Sequence, residues 1–326
     1  MTTRRHVLKI LGATAAVPAG ILALRHSADA PTPVRWTGEV LGALANLTLW
    51  HRDPAFARAT IARMLGEIDR LENIFSLYRP GSEIARLNAG GRLEKPSGDF
   101  VAILDEARTI AAASGGAFNP AVQTLWNVYA QHFASHPQST ETPNNSLLQD
   151  ARAKSDFAAV DAGRRAIAFA RPGMALTLNG IAQGYITDRI AYLLRNEGFD
   201  HAMVELGETR ALGAAPDGKP FEVRLMNPGA PGVADRTVAL ADASLSVSGG
   251  YGLRWAPNCH HIFDPQTGRS AETLLDVAVV APRATLADGL STAIFVAGEA
   301  RAAAILATYP AASALITRRD GSTTRI

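Results

Sequence analysis

The chain has 326 residues, of which 47% are hydrophobic and 19% are charged. These values are typical of a soluble globular protein that forms one large domain or two closely packed ones. A formal net charge of +2 and the lack of any lysine- and arginine-rich run argue against nucleic acid as a partner. Cys259 is the single cysteine, so no internal disulfide can form. It is either a small buried residue or a reactive thiol.

The amino terminus resembles a twin-arginine export signal. Residues 3–9 read TRRHVLK, an apolar run occupies residues 10–24, and residues 28–30 read ADA, the small-x-small form of a cleavage site. The apolar run is too short for an ordinary membrane-spanning helix. A buried amino-terminal helix is the alternative, and a proline directly after ADA leaves the cleavage point open. We expect a periplasmic protein, with a signal peptide at residues 1–30 and the mature domain at residues 31–326.

The first part of the mature domain predicts a strand, a helix and a second helix. Leu47–Trp50 has strand character, and Asp53-Pro54 supplies a helix cap followed by a proline at the first helical position. Apolar residues then recur at helical spacing and predict one buried face. A second helix is expected over Phe100–Ala113, ended by Gly115-Gly116. The predicted buried face of the first helix comprises Ile61, Leu65, Ile68 and Leu71.

The second part predicts a polar loop, short strands and one further long helix. Residues 132–146 are polar and contain prolines, which is typical of a surface loop. A helix is expected from Gly180 to Asn196, burying Ile186, Ile190 and Leu193. Without repeats or strict strand–helix alternation, the pattern predicts an α+β fold of mixed β-sheets with packed helices. The short strands are expected near Ala166–Ala170, Met174–Leu178, Met203–Leu206, Phe221–Leu225 and Val277–Val280.

Two glycine-containing segments have compositions that packing alone does not require. Residues 114–120 read SGGAFNP, where the glycines allow close backbone approach and Phe118 offers a flat face for a ring. A helix stop and a turn would give the same pattern. Residues 178–185 read LNGIAQGY and lead from a strand into a helix, a junction that suits a phosphate. Plain packing is the alternative there. Neither segment matches a dinucleotide fingerprint or a P-loop.

Residues 260–268 read HHIFDPQTG and place titratable groups on a constrained loop. A histidine whose pKa lies near neutrality is a natural general base for activating a hydroxyl. Cys259 beside the two histidines also raises a zinc site as an alternative. Adjacent ligands rarely close on one ion, and no second cluster is present in the sequence, which argues against zinc.

Residues 287–293 read ADGLSTA at the start of an apolar helix. Asp288 and Thr292 lie one helical turn apart and share a face. A carboxylate and a hydroxyl suit Mg²⁺, which often takes few protein ligands and completes its shell with phosphate oxygens and water. The alternative is that Asp288 only caps the helix.

Taken in order, these segments resemble the ApbE family of FAD:protein FMN transferases over nearly all of the mature chain. The segments HHIFDPQTG and ADGLSTA are similar to family motifs almost letter for letter. Four further segments resemble, in order, the family's S-x-Y…SE…LN, G-x-F-D-P, D-L-G-G-I-A-K-G and T-S-G-D-Y patterns. These four are residues 75–88, 116–120, 177–184 and 247–251.

The resemblance implies roles for individual residues. Magnesium would be held by the carbonyl of Gly180 with Asp288 and Thr292, and with Ser291 as a further candidate. His261 would activate the acceptor hydroxyl, with Asp264 as its companion catalytic residue. The residues implied in binding FAD are Leu41, Tyr78, Phe118, Asn119, Pro120, Thr177, Gln183 and Ile262.

The implied reaction is transfer of FMN from FAD to a threonine or serine hydroxyl of an exported partner protein. A phosphodiester bond forms and AMP leaves, with Mg²⁺ and the helix amino terminus offsetting charge on the diphosphate. The Gly207-Glu208 pair, where the family has Gly-Gly, and the export signal resemble the NosX branch. That branch serves nitrous oxide respiration, which implies the flavin-carrying domain of a membrane-bound electron-transfer protein as the acceptor.

Several positions depart from the family pattern. Asn119 and Thr177 stand where the family has aspartate, Gln183 replaces a lysine, and Leu41-Gly42-Ala43 replaces M-G-T. Asparagine, threonine and glutamine still form hydrogen bonds, but the lysine charge is lost. Two alternatives therefore stay open beside the transferase. One is a non-catalytic protein that binds or delivers FAD, and the other is a hydrolase that splits FAD into FMN and AMP.

Overall fold

The computed structural model describes residues 30–230 and 232–326. The twin-arginine segment predicted within residues 1–29 lies outside this part of the chain. No helix among the described residues has the length and apolar character needed to span a bilayer. The helices are α1 (Pro54–Phe75), α2 (Glu83–Gly90), α3 (Gly98–Ala113), α4 (Gln123–Ser135), α5 (Asn145–Ala153), α6 (Ala182–Asn196), α7 (Ala284–Ala297) and α8 (Glu299–Leu306), with short 3₁₀ turns at Pro120–Val122 and Phe157–Ala159.

The strands form one large antiparallel sheet and several small ones. The large sheet has eight strands in the order β1-β2-β6-β7-β10-β15-β16-β17, and each neighbouring pair runs antiparallel. The strands are β1 (Thr32–Val40), β2 (Ala43–His51), β3 (Arg92–Glu94), β4 (Val160–Ala162), β5 (Ala166–Phe169), β6 (Ala202–Leu206), β7 (Thr209–Leu212), β8 (Phe221–Met226), β9 (Ala234–Leu240), β10 (Ser244–Gly249), β11 (Arg254–Ala256), β12 (Cys259–His260), β13 (Phe263–Asp264), β14 (Arg269–Ser270), β15 (Leu274–Ala281), β16 (Ser313–Arg318) and β17 (Thr323–Arg325).

The large sheet is covered on both faces, because alternate side chains along a strand point to opposite sides. Val204 and Val277 face the main core, which contains the buried sides of α1, α3, α6 and α7. Met203 and Ala278, each next to one of these valines, belong instead to a second core beneath the β8–β9 hairpin. A third cluster joins α4 and α5 to Cys259 and Phe263. The α+β prediction is confirmed, and Cys259 is fully buried.

The first predicted helix is confirmed with its cap. The Asp53 carboxylate accepts the N–H groups of Ala55 and Phe56 at 2.8 and 3.1 Å, with Pro54 at the first helical position. Ile61, Ile68 and Leu71 are buried as predicted, whereas Leu65 is half-buried. The sequence thus determines both the start and the inward face of α1.

The second and third predicted helices are confirmed with small shifts. Helix α3 covers the predicted range and buries one apolar face, and Gly115 and Gly116 after it have φ values of +56° and +82°. Helix α6 begins at Ala182 rather than Gly180, and Leu194 rather than Leu193 completes its buried face.

Two predictions from the sequence are wrong. The polar segment 132–146 is not loop throughout, because α4 continues to Ser135 and α5 begins at Asn145. Residues 174–178 are buried but form no strand. The side-chain amide of Asn88 takes the place of a partner strand there. Its nitrogen donates to the carbonyl of Leu176 and its oxygen accepts the N–H of Leu176, both at 2.8 Å.

Candidate functional site

Helices α6 and α7 cross closely where α6 begins. Gly184 lies in the first turn of α6, and a Cβ atom at this position would be 2.4 Å from the carbonyl oxygen of Ala284. This approach requires glycine. It allows Oδ2 of Asp288, in the second turn of α7, to accept the N–H of Gly184 at 3.0 Å. Asp288 therefore faces the amino terminus of α6, where unpaired N–H groups and the helix dipole favour negative charge.

A different carboxylate caps α7. Asp188 of α6 accepts the N–H groups of Ala284 and Thr285 at 2.8 and 2.9 Å, and the Thr285 hydroxyl at 2.6 Å. Asp288 is therefore not the cap of its own helix. It is 3% exposed. Burial raises the pKa of Asp288 to about 7, with the charge of Asp188 acting in the same direction and the Gly184 N–H opposing it.

Four hydroxyl groups gather beside Asp288, and we call them the hydroxyl cluster: Ser246, Ser248, Ser291 and Thr292. The Ser291 hydroxyl lies 3.1 Å from that of Ser246 and 2.8 Å from that of Ser248. It also donates to the Asp288 carbonyl at 2.9 Å. The Thr292 hydroxyl is half-buried and lies 3.0 Å from that of Ser248. Ser291 is thus fully engaged by protein atoms, whereas Thr292 has one such contact.

The hydroxyl cluster brings the two glycine-containing segments together. A Cβ atom on Gly180 would be 3.1 Å from Oγ1 of Thr292 and 3.5 Å from Cε2 of Phe118. The backbone of residue 180, the Thr292 hydroxyl and the Phe118 ring therefore meet at one point. Phe118 itself is held by its N–H, which donates to the Ser114 hydroxyl at 3.0 Å. Three of the four segments singled out in the sequence thus converge here.

Glu208 is a second buried carboxylate in this region, and the sequence prediction did not place it at the site. It is 7% exposed, and its Oε2 atom is buried without a hydrogen-bond partner among the described residues. Burial raises its pKa well above the usual value and the charge of Asp288 raises it further, while the Ser246 hydroxyl has the opposite effect. Two carboxylates that each disfavour the other's charge form a place suited to a cation.

One feature of the sequence indicates that Glu208 is a buried carboxylate. Glu208 and Glu205 are acidic residues inside an apolar segment, and burial alone raises the pKa of Glu205 to about 7. Charged residues are rarely buried unless they have a partner. The apolar pattern predicts a strand over Met203–Leu206 and the resemblance marks Gly207-Glu208 only as a departure, so neither predicts a carboxylate at the site.

The two adjacent histidines have different environments. His260 is 1% exposed, and its Nε2 lies 2.6 Å from the carbonyl of Ala271. Its Nδ1 accepts the N–H of Ile262 at 3.2 Å. Since a carbonyl only accepts, Nε2 carries the proton and both ring nitrogens are occupied. Burial lowers the pKa of His260 to about 4, against the opposing effect of the Ala271 carbonyl. His260 is therefore a structural residue.

His261 has one ring nitrogen without a protein partner. Its Nδ1 lies 3.1 Å from the carbonyl of Leu253, so this nitrogen carries the proton. Among the described residues no hydrogen bond reaches Nε2, which is left as an acceptor. Burial lowers the pKa of His261 despite the Leu253 carbonyl, which keeps the ring neutral near pH 7. These contacts favour His261 over His260 as a general base.

The histidine segment lies against α7. The His260 ring centroid is 5.8 Å from that of Phe295, which is three residues beyond Thr292 on the same helix. A Cβ atom on Gly250 would be 2.7 Å from Cδ2 of His260, so the segment after β10 packs there too. Asp264 accepts the N–H of Gln266 at 2.8 Å and thereby shapes the turn. No described hydrogen bond joins Asp264 to His261.

The predicted FAD-binding residues have different immediate neighbours. The Pro120 carbonyl accepts the N–H of Thr177 at 2.8 Å, which joins two of them. Leu41 and Tyr78 are connected through Glu72. The N–H of Leu41 donates to Glu72 at 2.6 Å, and Glu72 also pairs with Arg79, the residue after Tyr78. Tyr78 is 57% exposed and burial of part of its ring raises its pKa. Ile262 is half-buried against the main core.

The residues that depart from the family pattern have defined contacts. Asn119 donates to the Ser155 carbonyl and accepts the N–H of Ala121, both at 2.8 Å. An aspartate could make only the second of these bonds. The Thr177 hydroxyl accepts the N–H of Asn179 at 3.2 Å, which an aspartate could also do. The Gln183 amide lies against Gly207, whose φ is +94° and whose added Cβ would be 2.4 Å from it.

The predicted metal ligands provide oxygen atoms from a carboxylate, hydroxyls and a backbone carbonyl. In the described ranges no three His, Cys, Asp or Glu side chains group in a way that could hold a metal. A cation here would depend on carboxylates together with hydroxyl and carbonyl oxygens, the ligands that Mg²⁺ prefers. Asp288, Thr292 and the backbone of Gly180 lie together, and Glu208 adds an unpartnered carboxylate oxygen. The residues present therefore fit a magnesium ion.

Comparison with known proteins identifies the family. The model of the ApbE family matches residues 41–316. A Treponema pallidum protein named FAD:protein FMN transferase is 33% identical over 307 residues, covering 85% of this chain and 82% of that protein. This chain belongs to the ApbE family. The family resemblance inferred from the ordered motifs is thereby confirmed.

Two further proteins support this family membership. A Haemophilus influenzae protein with the same name is 29% identical, over 75% of this chain and 74% of its own length. The solved flavin transferase ApbE from Vibrio cholerae superposes with a TM-score of 0.78 at 22% identity, covering 91% of this chain and 97% of that one. At this identity the superposition shows the shared ApbE fold.

Proposed function

We propose that this chain is a magnesium-dependent FAD:protein FMN transferase that attaches FMN to a threonine or serine hydroxyl of a partner protein. The observation that carries the proposal is the meeting of Gly180, Thr292 and Asp288 at the amino terminus of α6. The named activity of the relatives over most of the chain supports it. A protein acceptor follows from that activity.

The reaction requires an acceptor hydroxyl to attack the FMN-side phosphorus of FAD. A new phosphorus–oxygen bond forms there, and the bond to the bridging oxygen breaks, so that AMP leaves with that oxygen. The hydroxyl proton must be accepted as the bond forms. Nε2 of His261 is suited to accept it, because Nδ1 is bonded to the Leu253 carbonyl and the ring is neutral.

The residues at the helix crossing would hold and orient the diphosphate. Among the described residues the N–H of Gln183, in the first turn of α6, has no hydrogen-bond partner and would donate to a phosphate oxygen. The N–H of Gly184 next to it is already donated to Asp288. Gly180, Asp288 and Thr292 would hold Mg²⁺, and Ser291 would support Thr292 through Ser248. When bound, the ion would neutralise charge that develops on the diphosphate. Phe118 beside Gly180 would exclude water from one side of the phosphates.

The cellular setting is part of the proposal. The twin-arginine pattern of the amino terminus supports export to the periplasm as a folded protein. The Gly207-Glu208 pair together with that pattern supports the NosX branch, whose acceptor would be a flavoprotein of nitrous oxide respiration. Both are inferences from sequence resemblance.

One experiment tests the transferase against its two alternatives. Purified protein is incubated with FAD, Mg²⁺ and a candidate acceptor domain, and the acceptor is weighed by mass spectrometry. An acceptor heavier by one FMN, with AMP released in equal amount, supports the proposal. Free FMN and AMP without an adduct would identify a hydrolase, and bound but unchanged FAD would identify a carrier. An acceptor whose target hydroxyl is removed, as in a threonine-to-alanine variant, is the control.

A further inference from the structure

A second cleft contains none of the hydroxyl-cluster residues in its lining. Its volume is about 380 Å³, and it is lined by α6, β7 and the start of α7. None of its lining residues is among the predicted FAD or magnesium ligands. Four arginines and a single carboxylate contribute to it: Arg189, Arg195, Arg210, Arg283 and Asp188. We call it the arginine cleft.

Two of the four arginines are neutralised by neighbours. Arg195 pairs with Asp242, and Arg283 pairs with Glu106. The Asp188 carboxylate is occupied as well, because it accepts three hydrogen bonds from the first residues of α7. The acidic groups at the cleft are therefore committed to other partners.

Arg210 is not neutralised. Among the described residues no carboxylate lies within ion-pair distance of it, and its Nη1 donates only to the Ser244 hydroxyl at 3.2 Å. Its Nε is buried without a hydrogen-bond partner there. Burial lowers the pKa of Arg210, while Asp188 and Asp242 act in the opposite direction from a distance. A desolvated cation without a counterion costs free energy, which a bound anion would offset.

Arg189 is only weakly neutralised. Its nearest carboxylate oxygens, on Glu67 and Asp99, are 3.5 and 4.0 Å away. Both acids make shorter bonds to Arg70, at 2.7 and 2.8 Å. The Nε of Arg189 is also buried without a hydrogen-bond partner in the described chain. Two of the guanidinium groups at the cleft therefore lack a close counterion among the described residues.

The cleft also has an aromatic wall. Tyr192 is 58% exposed, and the Arg189 guanidinium lies 5.8 Å from its ring centroid. An aromatic group of a ligand could therefore pack beside the anion. Guanidinium forks match the geometry of phosphate oxygens. We propose that the arginine cleft binds a small phosphate monoester through Arg210 and Arg189, with Tyr192 contacting its organic part.

The test uses phenyl phosphate as the probe, with full-length protein in metal-free buffer without FAD. Isothermal titration should show binding of phenyl phosphate and none of phenol, and added salt should weaken it. Arg210→Gln should weaken binding at least tenfold, and Arg189→Gln should also weaken it. Arg224→Gln is the matched control, since Arg224 is an exposed arginine on β8. Unchanged binding in Arg210→Gln, or an equal loss in Arg224→Gln, would overturn the proposal.

Two further measurements separate this site from the transferase site. Asp288→Asn should bind phenyl phosphate as the unaltered protein does, whatever its transfer activity. Crystals soaked with tungstate, a phosphate mimic, should show an anomalous peak in the arginine cleft. A peak only at the start of α6 contradicts the proposal.

If an acidic peptide binds in an Arg210-dependent manner and phenyl phosphate does not, the cleft is a protein-docking surface and the proposal is wrong. If Arg210→Gln does not fold, Arg210→Lys replaces it in the binding measurement. The lysine keeps the positive charge but lacks the guanidinium fork, so binding should still weaken.

Discussion

Oδ2 of Asp288 accepts the backbone N–H of Gly184 at 3.0 Å, which ties the second turn of α7 to the first turn of α6. The bond depends on Gly184, because any side chain there would collide with the carbonyl of Ala284. It also fixes the direction of the buried carboxylate. The helix crossing and the orientation of the proposed metal ligand are therefore one structural feature.

Replacing Asp288 with asparagine should separate its charge from its hydrogen bond. The asparagine oxygen can still accept the Gly184 N–H, so the fold should be retained. The negative charge that would hold a cation is lost. We expect FMN transfer to fall at least about 100-fold and Mn²⁺ binding, followed by electron paramagnetic resonance, to weaken in parallel. Normal transfer with normal Mn²⁺ binding would show that Asp288 is not a metal ligand.

Asp188 provides the matched control for that variant. It is a half-buried carboxylate on α6, at the same helix crossing, but its oxygens cap α7. Asp188→Asn should lower the free energy of unfolding by about 1 kcal/mol. It should not weaken Mn²⁺ binding, because loss of the Asp188 charge favours the ionised form of Asp288. Chemical denaturation and the same resonance titration measure the two effects.

His261→Gly should remove the proposed general base without disturbing FAD binding. We expect kcat for transfer to fall by about 100- to 10,000-fold, with the affinity for FAD, followed by flavin fluorescence, unchanged. Added imidazole should restore part of the rate, which a purely structural role would not allow. His260 offers no such site, because both its ring nitrogens are bonded.

The pH dependence of transfer gives a second check on His261. Since burial lowers its pKa below 6.5, the ring should remain an effective base somewhat below that pH. The acid limb of the kcat profile should therefore lie below pH 6.5. An acid limb at higher pH would assign it to another group.

His260 should contribute a loss of stability in mild acid, opposite in direction to the contribution of Asp288 and Glu205, whose pKa values are raised. Its pKa is about 4 in the folded chain against 6.5 for an ordinary histidine, so the unfolded chain binds more protons between these values. The stabilisation is complete above pH 6.5 and decreases as the pH falls towards 4, by on the order of 3 kcal/mol. The His260 contribution is measured as the difference in Tm between the unaltered protein and His260→Gln, which should become smaller as the pH falls from 7 to 4.5. The difference for His136→Gln, at an exposed histidine, should not change with pH.

The sequence predicts the structural features that depend on neighbouring residues in the chain. The Asp53 cap, the buried stripe of α1 and the glycine stops after α3 all depend on neighbours along the chain, and each is found. The family resemblance implies that Gly180 and Thr292 share one ion, and the structure brings these two residues together beside Phe118. This information comes from the resemblance, since the three residues are far apart along the chain.

What the sequence does not predict depends on partners distant along the chain. The unpartnered oxygen of Glu208 and the closed hydroxyl cluster around Ser291 arise only when β7, β10 and α7 are packed together. Likewise, the sequence places Asp188 and Asp288 in helices but does not distinguish their roles. Their different roles follow from which helix terminus each one faces.

Residues 174–178 illustrate the same limit and lead to the last prediction. They form a short, mostly apolar and buried run, yet Leu176 is paired with the side chain of Asn88 and not with a strand. Asn88→Ala should leave the N–H and C=O of Leu176 without partners, at a cost of about 1–3 kcal/mol in the free energy of unfolding. Because this segment leads directly into Gly180, the affinity for FAD should also fall. Asn73→Ala, at an exposed asparagine of α1, is the control and should change neither quantity. Denaturant titration and flavin fluorescence measure them, and equal stability of the two variants would show that Asn88 does not replace a strand partner.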